Sequence, residues 1–350
     1  MTRHHEIGAT HQPEDPEIVG IGHALLDAFV CASDEAIGRL GLVKGAMNPV
    51  DEGRADILVR AAHAFAPGGS MANSLAIAAA IGARTSFVGS IGDDAAGQLF
   101  ADAMNDAGIT LIGTPVRSGR TGLCVVHVGD DAERTMATSL GCSRAIDPAD
   151  VFSDTLAGAG VLAFDGYMLD DPGTRAIALS AIVAAKAAPV PPLVVTSLGD
   201  AGCAARNADL FLHLARAELV DAVFANEREA MALTASDALL YAIDKVLRLP
   251  ADFYVTRGAS GVAIAGAGFH EQLPAMPVDR LVDTTGAGDA FAGGVLYGLS
   301  RDMGRIEAAA IGLKAAAEIV QQLGARPRRP LAHLDDLADD PFVDAMPNVA

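Results

Sequence analysis

Short, continuous apolar runs alternate along this chain with helix-like runs, and that alternation limits the fold more than any other feature. Glu17–Gly22 (EIVGIG), Thr85–Gly89 (TSFVG), Val161–Phe164, Leu193–Thr196, Ala222–Ala225 and Phe253–Thr256 read as strands. Runs this short and this apolar fit a parallel sheet buried on both faces, where no alternation with polar residues is needed. Helical stretches lie between them, including the Ala-rich Ala72–Ile81 and Ala95–Ala107, which stops at Gly108. The βαβα order predicts an α/β fold with a doubly wound, mostly parallel central sheet flanked by helices.

Two regions break the alternation. Residues about 28–64 and 111–140 carry β-type runs, among them Gly122–Val128 (GLCVVHV), with less helix signal. They are expected to form a small β-rich lid over one edge of the main sheet, within a single domain spanning 17–335. Residues 1–16 read as a flexible N-terminal tail and 336–350 as an acidic C-terminal tail. The last strong helix leaves through a turn-rich, basic segment, Gly324–Pro330 (GARPRRP).

Composition serves mainly to exclude. A formal net charge of −19 over 350 residues repels phosphate backbones and anionic membranes. An aromatic content of 5% with no Trp offers little for stacking single strands, so neither nucleic acid nor membrane is an expected partner. Cys31, Cys124, Cys142 and Cys203 form no C-x-x-C pair and read as reduced thiols. No apolar signal-peptide core lies in 1–16, and no apolar run reaches the ~20 residues of a spanning helix. A cytoplasmic location is expected.

Two phosphate-handling devices are missing. None of Lys44, Lys186, Lys245 and Lys314 follows a glycine, so there is no P-loop. Gly20-Ile21-Gly22 opens like a dinucleotide fingerprint, but Leu25 stands at its third glycine position. The strong signal is Asp283–Gly294, DTTGAGDAFAGG, where Gly286-Ala287-Gly288 precede Asp289 and a helical run. Small residues at a helix start let backbone N–H groups converge on an anion. Asp289, one residue on, could take the proton from a hydroxyl attacking a phosphate. An Asp after Gly also suits a helix cap, and the motif alone leaves both roles open.

Three further elements accompany it. Pro67–Ser74 (PGGSMANS) is a Gly-rich turn into a helix, or an ordinary loop and cap. Asn226-Glu227-Arg228-Glu229 follows a strand with N-x-x-E spacing, or simply starts a helix. Val255–Gly261 (VTRGASG) runs from a strand into a glycine turn, which also describes a β-hairpin.

Together these motifs resemble the signatures of the ribokinase-like, or PfkB, carbohydrate and nucleoside kinases. DTTGAGDAF is similar to their C-terminal signature and GGSMANSLAIAAAIGARTSFVGSIGDDAAGQLF to their N-terminal one, and the resemblance runs from about Ile18 to about Arg326. It implies an ATP-dependent kinase with Asp289 as base and Gly286, Ala287 and Gly288 as the anion hole. It implies Asn226 and Glu229 near Mg²⁺, usually through water, and Thr256, Gly258 and Gly261 at the ATP phosphates. Arg134 in ERTMATSLG is similar to a lid arginine near the transferred phosphate. A K⁺ site near Asp283 and Thr285 is implied as well.

The resemblance is closest to adenosine kinases. Gly22-His23-Ala24-Leu25-Leu26-Asp27 is similar to their G-x-x-LLD start, although His23 stands where they usually carry Asn. GGSMANS and NEREA are also similar to their versions of those motifs. The implied substrate contacts are Asp27, Gly68, Gly69, Ser70 and Asn73, with Tyr167 at the base-stacking position or in simple packing. The implied reaction moves the γ-phosphoryl group of ATP to the 5′-hydroxyl of a purine nucleoside, adenosine foremost. A ribokinase- or fructokinase-like sugar kinase is the alternative, and either a monomer or a homodimer fits.

Overall fold

The computed structural model describes residues 17–336 apart from 131–132, 153–155 and 157. The expected N-terminal tail and all but the first residue of the expected C-terminal tail lie outside the described residues. In chain order the strands are β1 (Ile18–Ile21), β2 (Leu25–Cys31), β3 (Met47–Pro49), β4 (Ala64–Gly68), β5 (Thr85–Val88), β6 (Ile109–Ile112), β7 (Gly122–Val128), β8 (Arg134–Ser139), β9 (Val161–Phe164), β10 (Leu193–Ser197), β11 (Ala222–Asn226), β12 (Asp252–Thr256), β13 (Val262–Gly266) and β14 (Phe269–Leu273).

Nine of these form one sheet in the order β14-β13-β12-β11-β10-β9-β1-β5-β6. All neighbours are parallel except at β13 and β14, which close one edge antiparallel. Every residue of β1, β5 and β9 is buried, as their unbroken apolar runs require. One core cluster packs Ser70–Ile81, Ala287–Ser300 and Arg305–Ile319 on one face, and a second packs Pro172–Ala187 and its neighbours on the other.

The chain lays β5 and β6 on one side of β1, then returns to lay β9 through β14 on the other. The strand order therefore reverses between β1 and β9, and a crevice opens at the carboxyl ends there. His23 follows β1, Asp165 follows β9, and Asn226 and Thr256 end β11 and β12.

Helix Ala287–Ser300 approaches its neighbours unusually closely. A Cβ on Gly293 would come within 2.4 Å of the Ser74 carbonyl, and one on Gly294 within 2.7 Å of the Gly312 Cα. Glycine at both positions lets the helix axes close in. The close contact with Ser70–Ile81 brings the N-terminal ends of two helices side by side, and the site forms where they meet.

The second sheet has the order β3-β8-β7-β2-β4 and draws on both segments that broke the alternation. The segment boundaries differ from expectation. Leu111 and Ile112 finish β6 in the main sheet, because Ile109–Ile112 pairs in parallel with β5. At the other segment the sheet begins at Leu25 and runs to Gly68, where β2 and β4 pair. One face covers a small core of Val30, Ile37, Leu42, Leu58, Val125 and Ala137. The stretch ending near Val282 also carries β-type residues. Among the described residues no strand pairs with it. The Val282 and Asp283 N–H groups donate instead to the Val320 carbonyl, just past a helix end.

Candidate active site

The site grows from the start of helix Ala287–Ser300. Gly286 caps it in the left-handed region, with φ 70°, and a Cβ there would come within 2.3 Å of the Ala325 Cβ. Glycine holds this turn without strain, and the helix start favours an anion through its N–H groups and dipole. The Ala287 N–H also closes a turn onto the Thr284 carbonyl at 3.2 Å.

Asp289 occupies the third helical position, so Gly286 rather than Asp289 is the cap. Its oxygens accept from a different helix: Ser70 Oγ donates to Oδ1 at 2.7 Å and Asn73 Nδ2 to Oδ2 at 3.0 Å. Burial raises the Asp289 carboxyl above its ordinary range, while the Asn73 and Ser70 bonds and the Arg326 charge work against that rise.

A cavity of about 520 Å³ extends from Asp289 and Gly286 to the second sheet. One face of that sheet lines it: Leu25 and Asp27 from β2, Cys124 and Val126 from β7, Arg134, Met136 and Thr138 from β8. Every second residue takes part, as the pleat requires. Gly69, Ser70, Asn73 and Tyr167 also line it. Gly68 serves it indirectly, since a Cβ there would overlap Asp27 Oδ1 at 2.1 Å. Burial, with the nearby Asp289 charge, pushes the Asp27 carboxyl up to about 7 against the pull of Arg326 and Arg134. The Tyr167 ring lies against Gly199, where a Cβ would meet it at 3.2 Å, and its hydroxyl donates to Asp200 Oδ2 at 3.2 Å.

The same cavity reaches His23 and Asp165, whose Nδ1 and Oδ1 stand 4.0 Å apart, too far for a hydrogen bond. Burial lowers His23 to about 4 and raises Asp165 to about 7. His23 Nε2 and Asp165 Oδ1 are both buried without a hydrogen-bond partner.

A second cavity, about 550 Å³, lies beyond the glycine turn. Thr256, Gly258, Gly261, Thr284, Ala287 and Gly288 line it, with Met276, Pro277, Val278 and Leu281 as an apolar wall. Val255–Gly261 is indeed a hairpin turn between β12 and β13, and its glycines at φ 55° and 84° face this cavity. A smaller space of about 110 Å³ between the two is bordered by Ser70, Asn226, Glu229, Thr256, Gly288 and Asp289. Asp289 thus borders the first cavity, Gly288 the second, and both border the space between.

Asn226 and Glu229 form a reciprocal cap on helix Glu227–Leu233. Glu229 N donates to Asn226 Oδ1 at 2.9 Å, and Asn226 N to Glu229 Oε2 at 3.0 Å. Burial, reinforced by the Asp200 and Asp289 charges, pushes Glu229 up to about 7. A carboxylate strained in this way is relieved by a cation, and its oxygen surroundings fit Mg²⁺ held through water. Among the described residues no three His, Cys, Asp or Glu side chains converge as direct metal ligands.

Arg134 spans the two sheets. Its Nη2 donates to Asp283 Oδ1 at 2.9 Å and Oδ2 at 3.0 Å, and Asp283 also accepts from the Thr285 and Gly324 N–H groups, both at 2.9 Å. Burial works to raise Asp283, but the Thr285 hydroxyl, the Gly324 and Thr285 N–H groups and the Arg134 charge outweigh it and hold the group below the usual carboxylate range. Two residues, the buried Asp165 and the half-buried Arg326, escaped the sequence motifs. Asp165 follows a strand with no distinguishing pattern, and Arg326 is one of several arginines in a basic turn.

A glycine-capped helix start, the half-buried Asp289 carboxylate and two converging cavities make a site that fits an ATP-dependent kinase. The pfkB family carbohydrate kinase profile matches residues 40–331, and the chain belongs to that family. A crystal structure of adenosine kinase from Sinorhizobium meliloti is 31% identical, covers 91% of this chain and 98% of its own, and superposes with a TM-score of 0.86. A probable sugar kinase protein from Rhizobium etli CFN 42 is 30% identical over 92% of this chain and 98% of its own, with a TM-score of 0.87. A cytidine kinase from Thermococcus kodakarensis is 40% identical over 108 residues, which is 30% of this chain and 38% of that protein.

Proposed function

We propose that the protein transfers the γ-phosphoryl group of ATP to the 5′-hydroxyl of a purine nucleoside, adenosine foremost. The observation that carries this reading is the meeting of two cavities at Asp289 and Gly288. ATP lies in the cavity beyond the glycine turn, its base against Met276, Pro277, Val278 and Leu281. The nucleoside lies in the other, with Asp27 and Asn73 at its ribose hydroxyls. Asp289 takes the proton from the 5′-hydroxyl, and the Gly286–Gly288 turn receives the phosphoryl charge. The second sheet acts as a lid that keeps water from the reaction. Mg²⁺ near Glu229 would neutralise charge on the phosphates, and a K⁺ site near Asp283 and Thr285 belongs to the same reading.

The nucleoside is preferred over a sugar because part of the cavity is apolar. Leu25, Val126, Met136 and Leu140 line it together. A base can lie against such a wall, whereas a hexose would leave hydroxyls unpaired there. A sugar kinase is the second reading, favoured by the unpartnered His23 and Asp165 atoms, which suit a polyhydroxylated ligand. A screen of ADP release with ATP and adenosine, inosine, guanosine, ribose or fructose separates the two. Adenosine should give the highest kcat/KM, and a preference for ribose or fructose would sink the nucleoside reading.

Glu229→Gln keeps the shape of the cap and removes its charge. It should raise the Mg²⁺ concentration needed for half-maximal rate and lower turnover, with little change in substrate KM. An unaltered Mg²⁺ requirement would reduce Glu229 to a capping residue.

A further inference from the structure

We infer that Arg326 is a positioning residue for phosphoryl transfer: it fixes the Asn73 amide toward Asp289 and places a positive charge beside the Asp27 and Asp289 carboxyls. This rests on the proposed kinase chemistry, while Arg326 itself lies outside the motifs.

Three basic residues leave the last helix together, and only one turns inward. Arg328 Nη2 donates to the Leu323 carbonyl at 3.1 Å, and Arg329 Nη2 to Glu318 Oε2 at 2.7 Å, both in exposed settings. Arg326 Nε instead donates to Asn73 Oδ1 at 3.1 Å, and its Nη2 reaches the Gly68 carbonyl at 3.5 Å. Its Nη1 is buried with no hydrogen-bond partner, and the guanidinium carbon lies 5.9 Å from the Phe100 ring centroid.

The bond to Asn73 has a consequence for the amide. An Asn side chain presents a carbonyl on one side and an NH₂ on the other. With Arg326 donating to Oδ1, only Nδ2 faces Asp289, where it donates at 3.0 Å. If the amide turned over, Nδ2 would face the guanidinium, donor against donor, and Asp289 would lose a bond. The chain Arg326–Asn73–Asp289 is therefore ordered in one direction.

Charge gives the second role. Arg326 sits deep enough that burial lowers its own group to about 10, with Asp27 and Asp289 pulling it back up. A half-buried cation with no carboxylate in hydrogen-bond contact is costly unless negative charge lies near. The groups facing Asp27 are Arg326, Asp289, Arg134 and Cys124; those facing Asp289 are Arg326, Asp27, Asp165 and Glu229. Arg134 is bound to Asp283, which leaves Arg326 as the cation that answers both carboxylates.

The sign follows. Both carboxyls are already raised by burial, and both must be ionised for activity, so activity is lost as pH falls. Removing the Arg326 charge raises both carboxyls further, on the order of one pH unit. Arg326→Met should therefore move the acid limb of the kcat profile upward by about one pH unit or more. Below the wild-type limb that is about tenfold less turnover. Arg326→Lys keeps the charge but cannot reproduce the fork, so the limb should stay in place while kcat falls about tenfold at the plateau.

The test is the kcat–pH profile of full-length wild type, Arg326→Met and Arg326→Lys, with ATP and adenosine, alongside thermal melts. Arg326→Gln replaces Arg326→Met if the latter does not fold. An upward shift confined to the uncharged variant supports the assignment. Uncharged variants that keep the wild-type limb, whatever their Tm or kcat, overturn it and leave Arg326 a purely structural residue. Wild-type protein that forms no ADP with any acceptor would overturn the kinase reading instead, before any variant is compared.

Discussion

Asp289→Asn should cut turnover by about 10²–10⁴-fold while leaving the fold and ATP binding close to wild type. The geometry explains why the loss should be clean. An Asn at 289 can still accept from Asn73 Nδ2 with its carbonyl, and its NH₂ can donate to Ser70 Oγ, so both neighbours stay satisfied. What disappears is the group that takes the proton. Burial already raises Asp289, so the wild-type enzyme should gain activity as pH rises through the acid limb, where Asp289 and Asp27 lose their protons. Steady-state kinetics between pH 5 and 9, with nucleotide affinity measured separately by calorimetry, checks this. A variant with near-normal turnover would mean that Asp289 only ties helix Ala287–Ser300 to helix Ser70–Ile81.

The second large effect concerns the grip on the ribose. Asp27 lies in the first cavity on the lining face of β2, held close to Gly68, and Asn73 lies across from it. A carboxylate in this place can accept from two adjacent hydroxyls. An analogue lacking one leaves buried polar groups unpaired, at ~1–3 kcal/mol each, about 5- to 150-fold in kcat/KM. Adenosine should outperform 2′-deoxyadenosine and 3′-deoxyadenosine by such a factor. Asp27→Ala should erase much of the difference and slow adenosine itself. Equal use of the three substrates by the unmodified enzyme would show that Asp27 does not hold the ribose.

The main sheet was legible in the sequence because its strands are buried on both faces. Glu17–Gly22 and Val161–Phe164 could read as nothing else once helices separated them, and the glycine turn at Gly286–Gly288 marked the helix start where the anion site would form. The second sheet was harder to bound. Its strands alternate, with Leu26, Ala28 and Val30 on one face and Leu25 and Asp27 on the other, and its partners come from distant segments. The exposed stretch around Leu281 and Val282 carries β-type residues for a different reason, since Leu281 and Val278 line the second cavity. Arg326 carried no local signal at all. Its importance comes from contacts with Gly68 and Asn73, more than 250 positions earlier in the chain, and nothing in GARPRRP distinguishes it from Arg328 or Arg329. Likewise, Gly293 and Gly294 read only as the end of the run DTTGAGDAFAGG, but their reason lies in Ser74 and Gly312, which only the folded chain brings near.

The most direct measurement of the central claim is the identity of the product. Purified protein would be incubated with ATP carrying a labelled γ-phosphate, Mg²⁺ and adenosine, and the labelled product resolved by chromatography and phosphorus NMR. Adenosine 5′-monophosphate, formed one for one with ADP and lost in Asp289→Asn, is the predicted result. Label released only as inorganic phosphate, or transferred to ribose or fructose but not to adenosine, would contradict it.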